Sequence, residues 1–132
     1  MFRDVYSGRL KLNGEEHEKT LLAASNYATS LLDVHRYAEG KSLLRKSIPL
    51  ARRVIGESNE VTLRMRGCYA EALYRNDSAT LDDLREAVTT LEGMERIARR
   101  VFGGTHPIVK TIGRHLQNAR EALRARETPS PG

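Results

Sequence analysis

The 132-residue chain contains no tryptophan and a single cysteine, Cys68. One cysteine cannot form an intrachain disulfide, so a disulfide-stabilised scaffold is excluded and a reducing, cytoplasmic location is predicted. No apolar run approaches the roughly 18 residues that a membrane span requires. Near the N-terminus, Arg3 and Asp4 stand where a secretion signal needs an apolar segment.

Strand-like runs of valine, isoleucine and threonine are also missing, which points away from a sheet. Hydrophobic residues make up 39% and charged residues 30% of the chain. This balance is typical of a soluble globular domain and is too apolar for a disordered chain. The length suffices for one domain with one core. The composition therefore predicts a single α-rich domain.

Two kinds of segment recur along the chain. The stretch Leu50–Gly56 returns 47 residues later as Ile97–Gly103. Polar segments also begin at Gly14, Gly56 and Gly103, with spacings of 42 and 47 residues. A repeat of this length is typical of a stacked array of one supersecondary unit. The polar turn at 76–80 accommodates the five additional residues of the second spacing.

Each unit is predicted to form two amphipathic helices, A and B, because apolar residues return every three or four positions. The whole is predicted to be an all-α domain of about six helices. Its segments are a half unit at 2–13, full units at 14–55 and 56–102, a half unit at 103–126, and a flexible tail at 127–132.

The glycines and one proline refine this interpretation. Gly14, Gly56 and Gly103 each follow the last apolar residue of a B helix, where the chain often turns left-handed and glycine is favoured. Pro49 lies inside the B helix of the first full unit. It removes a backbone hydrogen bond, so a bend in that helix is predicted, but not its end.

No catalytic constellation is present in the sequence. The chain has no phosphate-binding loop and no nucleophile elbow, and no two of its four histidines are four residues apart. His17 and His106 occupy equivalent positions at the start of A helices, which favours a capping or packing role over catalysis. Cys68 is interpreted as a packed thiol. No enzyme activity, cofactor or metal site is therefore predicted.

Several motifs of the first full unit resemble a known repeat family. They are Gly14-x-x-His17-x-x-Thr20-Leu21, Ser25-Asn26-Tyr27-Ala28, Tyr37-x-x-Gly40 and Ala51-Arg52-Arg53-Val54-Ile55-Gly56. These motifs resemble the tetratricopeptide repeats of kinesin light chains, and the resemblance extends over about residues 2–125. It implies a short right-handed solenoid whose A helices line a concave binding face. It also implies a protein-interaction module or adaptor rather than an enzyme.

The offsets of 42 and 47 residues align equivalent positions of the three A helices. In the family that the chain resembles, asparagines on this face hold the backbone of an extended peptide. An amide suits that role because it offers both a donor and an acceptor. Only Asn26 matches that pattern, and an ordinary exposed position is the alternative interpretation. The residues predicted to bind a partner are Asn26, Thr29, Arg64, Glu71, Arg114, His115 and Asn118.

Positive charge is concentrated near the C-terminus. Residues 96–126 carry a net charge of +7 and the rest of the chain −2. This surface suggests an acidic partner, and the alternative function is an anion-binding surface for nucleic acid or acidic lipid. A solvated terminal helix is the simpler interpretation. Nucleic acid is disfavoured because Phe102 is the only aromatic residue in the stretch.

The order of the predicted helices leaves both ends of the array uncovered. A chain that begins with a B helix and ends with an A helix exposes apolar faces that would normally be capped. We therefore expect either a longer array, of which this chain is a piece, or self-association through the end helices. The expected partner is otherwise a protein or peptide, with acidic character favoured by Arg64 and Arg114.

Overall fold

The computed structural model describes residues 1–127 and, over that range, contains six α-helices and no strand. The helices are α1 (Phe2–Asn13), α2 (Glu18–Asp33), α3 (Tyr37–Val54), α4 (Glu60–Arg75), α5 (Leu81–Phe102) and α6 (Pro107–Glu127). The prediction of an all-α chain with about six helices is confirmed. Glu127, predicted to begin the tail, is the last residue of α6. The rest of that predicted tail, 128–132, lies outside the described residues.

Side-chain acceptors stand at the starts of the even-numbered helices. His17, Asn59 and His106 occupy equivalent positions, and each accepts the backbone N–H two residues further along at 2.9 to 3.1 Å. The first N–H groups of a helix have no partner within the helix, so these acceptors stabilise each start. The sequence predicted a capping or packing role for the two histidines, and both cap their helices. Helix α5 begins instead with a reciprocal capping box between Thr80 and Asp83.

Three glycines end the odd-numbered helices. Gly14, Gly56 and Gly103 have φ angles of 81°, 93° and 84°, as their predicted left-handed turn requires. A Cβ atom at any of the three would meet no neighbour within 4 Å, so backbone conformation alone favours glycine there. Pro49 does not end α3, which continues to Val54.

The helices are arranged so that the even-numbered ones share one side of the molecule. Every helix packs against the next one in the chain. Helix α4 also contacts both α2 and α6, whereas α1, α3 and α5 do not contact one another within residues 1–127. Helices α2, α4 and α6 therefore form a continuous layer, and the odd-numbered helices cover its other side.

Apolar side chains between the two sets of helices form the core. Leu21, Leu44, Leu63 and Leu91 are each at most 1% exposed. Alanines such as Ala70, which is fully buried, allow the helices to approach closely. Among the described residues, no helix combines the length and the apolar character needed to cross a membrane. The polar faces of α2, α4 and α6 remain at the surface, side by side.

Candidate functional site

The structure places all seven residues predicted to bind a partner on the even-numbered layer. Asn26 and Thr29 lie on α2, and Arg64 and Glu71 lie on α4. The other three lie on α6: Arg114, His115 and Asn118. Because α4 contacts both of its neighbours in this layer, residues that are far apart in sequence share one surface.

This surface consists of three adjoining clefts, which we call the three-cleft face. The first cleft, of about 330 Å³, includes Asn26 and Asp33. The middle cleft, of about 130 Å³, lies between α2, α4 and α6. The third, of about 460 Å³, lies between α4 and α6. Thr29 and Arg64 line both the first and the middle cleft, and His115 lines both the middle and the third. The clefts are therefore continuous.

The first cleft presents an unused amide. Asn26 is exposed, and its side chain makes no hydrogen bond within residues 1–127. Its neighbours are occupied differently: the Thr29 hydroxyl donates to the Ser25 carbonyl oxygen at 3.0 Å, and Arg64 pairs with Glu60 at 3.1 Å. Asn26 can thus offer its donor and its acceptor to a ligand without breaking a contact of the protein.

The middle cleft has an apolar floor. Leu63, Ile108 and Ile112 are at most 7% exposed and line it, and Gly67 contributes no side chain. At its edge the Cys68 sulfur lies 3.4 Å from the Thr29 hydroxyl. Burial raises the pKa of the Cys68 thiol, which keeps it neutral and poorly nucleophilic. The floor is therefore suited to an apolar side chain of a ligand.

The third cleft is more strongly organised by bonds within the protein. The Tyr74 hydroxyl lies 2.6 Å from Nδ1 of His115, and Tyr74 is buried. Burial raises the pKa of Tyr74 and lowers that of His115, so both groups are held in their neutral forms. Glu71, which opposes the shift of the His115 pKa, is itself paired with Arg75 at 3.2 Å. Most polar groups here already have partners.

Tyr74 belongs to this face although it is not among the seven residues predicted from the sequence. Its ring is buried while its hydroxyl reaches His115 on the neighbouring helix. The available signal was its position three residues beyond Glu71, which puts both side chains on the same side of α4. Asp33 and Arg75 were also missed, and each lines an end of the face.

The remaining chemistry of the described residues is limited. No three histidine, cysteine, aspartate or glutamate side chains lie together as a metal site would require, in the part of the chain that the structure describes. Comparison with models of known protein families and with curated protein sequences finds no match.

Proposed function

We propose that the chain is a non-enzymatic protein-interaction module that binds an extended peptide, or an equivalent segment of a partner, along the three-cleft face. In this proposal the fold is a short right-handed solenoid of tetratricopeptide type, akin to the repeats of kinesin light chains. The contacts among α2, α4 and α6 support the proposal, because the helices that touch one another in a curved array line its concave side. A cytoplasmic location fits the single cysteine.

The observation that carries the proposal is the continuity of the three clefts. A peptide crossing α2, α4 and α6 would pass from the free amide of Asn26, over the apolar floor beside Gly67, to the polar groups around His115. An extended backbone needs hydrogen-bond partners at intervals, and an apolar pocket between them selects a side chain. The order amide, apolar floor and polar cleft matches those needs.

Charge on the face favours acidic residues in the peptide. Arg64 and Arg114 are exposed on this surface and lie on different helices. Exposed charges contribute little to affinity, on the order of 0–1 kcal/mol each, but they select partners and raise the association rate. We therefore propose a partner segment with an apolar residue near its centre and an acidic residue on the side that faces Arg114.

The basic C-terminal surface is the alternative location for a function. Part of its charge is used within the protein: Arg120 pairs with Glu92 at 3.1 Å, and Arg126 donates to the Ala79 carbonyl oxygen at 2.6 Å. Arg124 forms no ion pair within residues 1–127 and is exposed. This residue therefore distinguishes an anion-binding surface from the three-cleft face.

A binding assay separates the two functions. Peptides selected against the chain from a random display library would be labelled and titrated with the parent protein and with variants. Asn26→Ala should weaken binding about five-fold or more, because the peptide group that it contacted is left without a partner. Arg124→Ala should leave affinity unchanged at low salt and at high salt.

Asn13→Ala is a matched control, because Asn13 is also an exposed asparagine but lies at the end of α1, away from the clefts. Its affinity should equal that of the parent. If Asn26→Ala binds like the parent while Arg124→Ala loses affinity with a steep salt dependence, the anion-surface alternative replaces this proposal.

A further inference from the structure

Another cleft, separate from the three-cleft face, lies between α3, α4 and α5. None of the seven predicted binding residues lines it. Its volume is about 260 Å³. Three arginines from two helices, Arg45, Arg52 and Arg66, line it, so we call it the arginine cleft. The rest of its lining is Ile48, Pro49, Tyr69, Glu86 and Thr90.

Arg66 is placed unusually for a charged residue. Its side chain is only 12% exposed, and equivalent positions of the other even-numbered helices carry the small residues Ala24 and Gly113. Its Nη1 atom is buried and has no hydrogen-bond partner within residues 1–127. The nearest carboxylate oxygen, of Glu57, lies 3.6 Å away, beyond hydrogen-bond length. A buried guanidinium with an unused donor needs an acceptor.

The other charged groups around Arg66 do not supply that acceptor. Burial lowers the pKa of Arg66, and repulsion from the positive charge of Arg52 lowers it further. Arg52 lies 3.7 Å from the same Glu57 oxygen, so one carboxylate serves two arginines. Glu86 lines the cleft and stabilises the charge of Arg45. Three arginines and one glutamate line the cleft, and Glu57 lies beside it, so the positive charges outnumber the negative ones.

Two hydroxyls and an apolar wall complete the cleft. The Tyr69 hydroxyl lies 3.3 Å from Nε of Arg45, and Thr90 adds a second hydroxyl from α5. Donors therefore come from three helices. The two oxygens of a carboxylate lie in one plane and accept hydrogen bonds from one side. The oxygens of a tetrahedral phosphate point in several directions and can accept from donors on different helices. Ile48 and Pro49 provide an apolar surface beside these donors.

We propose that the arginine cleft binds the phosphate group of a small organic phosphate monoester. The phosphate lies against the guanidinium of Arg66, Arg45 and Arg52 provide further positive charge, and Ile48 and Pro49 contact the organic part. This site is separate from the three-cleft face and does not depend on the function proposed for that face.

The test uses two ligands that share a ring and differ in the anion, phenyl phosphate and benzoate, at equal ionic strength. Each is titrated into the full chain, and amide chemical shifts are followed by NMR. Phenyl phosphate should bind saturably and about ten-fold more tightly than benzoate, with the largest shifts in α3, α4 and α5. Equal affinity for the two ligands, or no saturable binding, would overturn the proposal.

Variants locate the site. Arg66→Gln keeps a donor but removes the charge, and it should weaken phenyl phosphate binding about ten-fold. Arg45 is exposed, so Arg45→Gln should not disturb folding. This variant should also weaken phenyl phosphate binding. Arg124→Gln on α6 and Asn26→Ala on the three-cleft face should bind like the parent. Parent-like affinity in both Arg66→Gln and Arg45→Gln contradicts the assignment.

Discussion

Most of the buried apolar residues belong to two unequal clusters that meet at α4. The cluster of the N-terminal half has six buried members among the described residues, three of them alanines, and includes Leu44 of α3. The cluster of the C-terminal half has fifteen, most of them large side chains of α4, α5 and α6. Since stabilisation grows with the apolar area removed from water, the C-terminal half has the larger share of hydrophobic stabilisation.

The ends of the molecule differ in the same direction. Helix α1 has no buried residue, and Phe2, Val5 and Leu12 are 39%, 47% and 80% exposed. Helix α6 has five buried residues and no exposed large hydrophobic side chain in its described length. The expected self-association stays a prediction, and α1 is the end that offers apolar surface for it.

The amide of Asn26 and the bonded pair of the third cleft lie in different halves of the molecule. Asn26, with its unused amide, lies in the N-terminal half, whereas the bonded pair Tyr74 and His115 lies in the C-terminal half. A ligand would therefore meet its most available partner where the core is smaller. Regions with fewer buried contacts open more readily, so the N-terminal half is expected to be the more dynamic one.

The largest expected effect comes from removing one leucine from each core. Leu44→Ala and Leu91→Ala both replace fully buried side chains, and each should lower the free energy of unfolding by about 2–5 kcal/mol in urea titrations. Hydrogen exchange compares the stability of the two halves directly. Amides of α2 and α3 should exchange faster than those of α5 and α6 already in the parent protein.

Equal protection of the two halves in the parent protein would show that the larger cluster does not make the C-terminal half more stable. Leu44→Ala should mainly raise exchange in α1 to α3, because its lost contacts belong to the smaller cluster. If Leu44→Ala instead raises exchange equally in all six helices, the two halves unfold as one unit.

A smaller effect is expected at the junction between the halves, where Gly56 links α3 to α4. A Cβ at Gly56 would meet no atom within 4 Å, so Gly56→Ala tests the left-handed backbone alone and should cost about 1–2 kcal/mol. Gly8 is the matched control: it has the same free space but lies inside α1. Gly8→Ala should stabilise by about 0.5–1 kcal/mol. If Gly56→Ala is as stable as the parent, a left-handed backbone is not required at this position.

The smallest expected effect concerns pH and the C-terminal half. Burial lowers the pKa of His115, so the unfolded chain binds a proton more readily than the folded one. The stability from neutral His115 is complete above a pH of about 6.5 and decreases as the pH falls towards the lowered folded pKa. Urea unfolding at about pH 7.5 and about pH 5 should show this loss.

Two variants assign that pH dependence. His115→Gln removes the titrating group, so its loss of stability between the two pH values should be smaller than that of the parent. His35→Asn replaces an exposed histidine whose φ of 62° asparagine also tolerates, and it should retain the parent's pH dependence. An identical pH dependence in His115→Gln and the parent would show that His115 does not contribute it.

Features that depend on a few neighbouring residues could be predicted. The left-handed turns at Gly14, Gly56 and Gly103 follow from the backbone of the turn itself. The capping acceptors His17 and His106 bind N–H groups only two residues away. Such features need no knowledge of distant segments, because helix starts and ends are local in geometry.

The candidate site was only partly accessible from sequence. The 42- and 47-residue offsets aligned positions on different helices, which is why the seven predicted residues fall on one face. The bond between Tyr74 and His115 was missed, since it joins residues 41 positions apart. The buried Arg66 was missed as well, although Ala24 and Gly113 at equivalent positions are small.

Which segments are helical, about where they begin and end, and which faces are apolar could be read from the residues alone, because hydrophobic periodicity, capping groups and turn glycines act over a few residues. Which polar groups have partners follows from the packing of the helices against one another. Asn26, Cys68 and His115 occupy equivalent positions. Among the described residues, however, Asn26 makes no side-chain hydrogen bond, Cys68 lies against Thr29 and His115 is bonded to Tyr74. Whether a side chain remains available depends on neighbours from other helices, and packing alone brings those neighbours within reach.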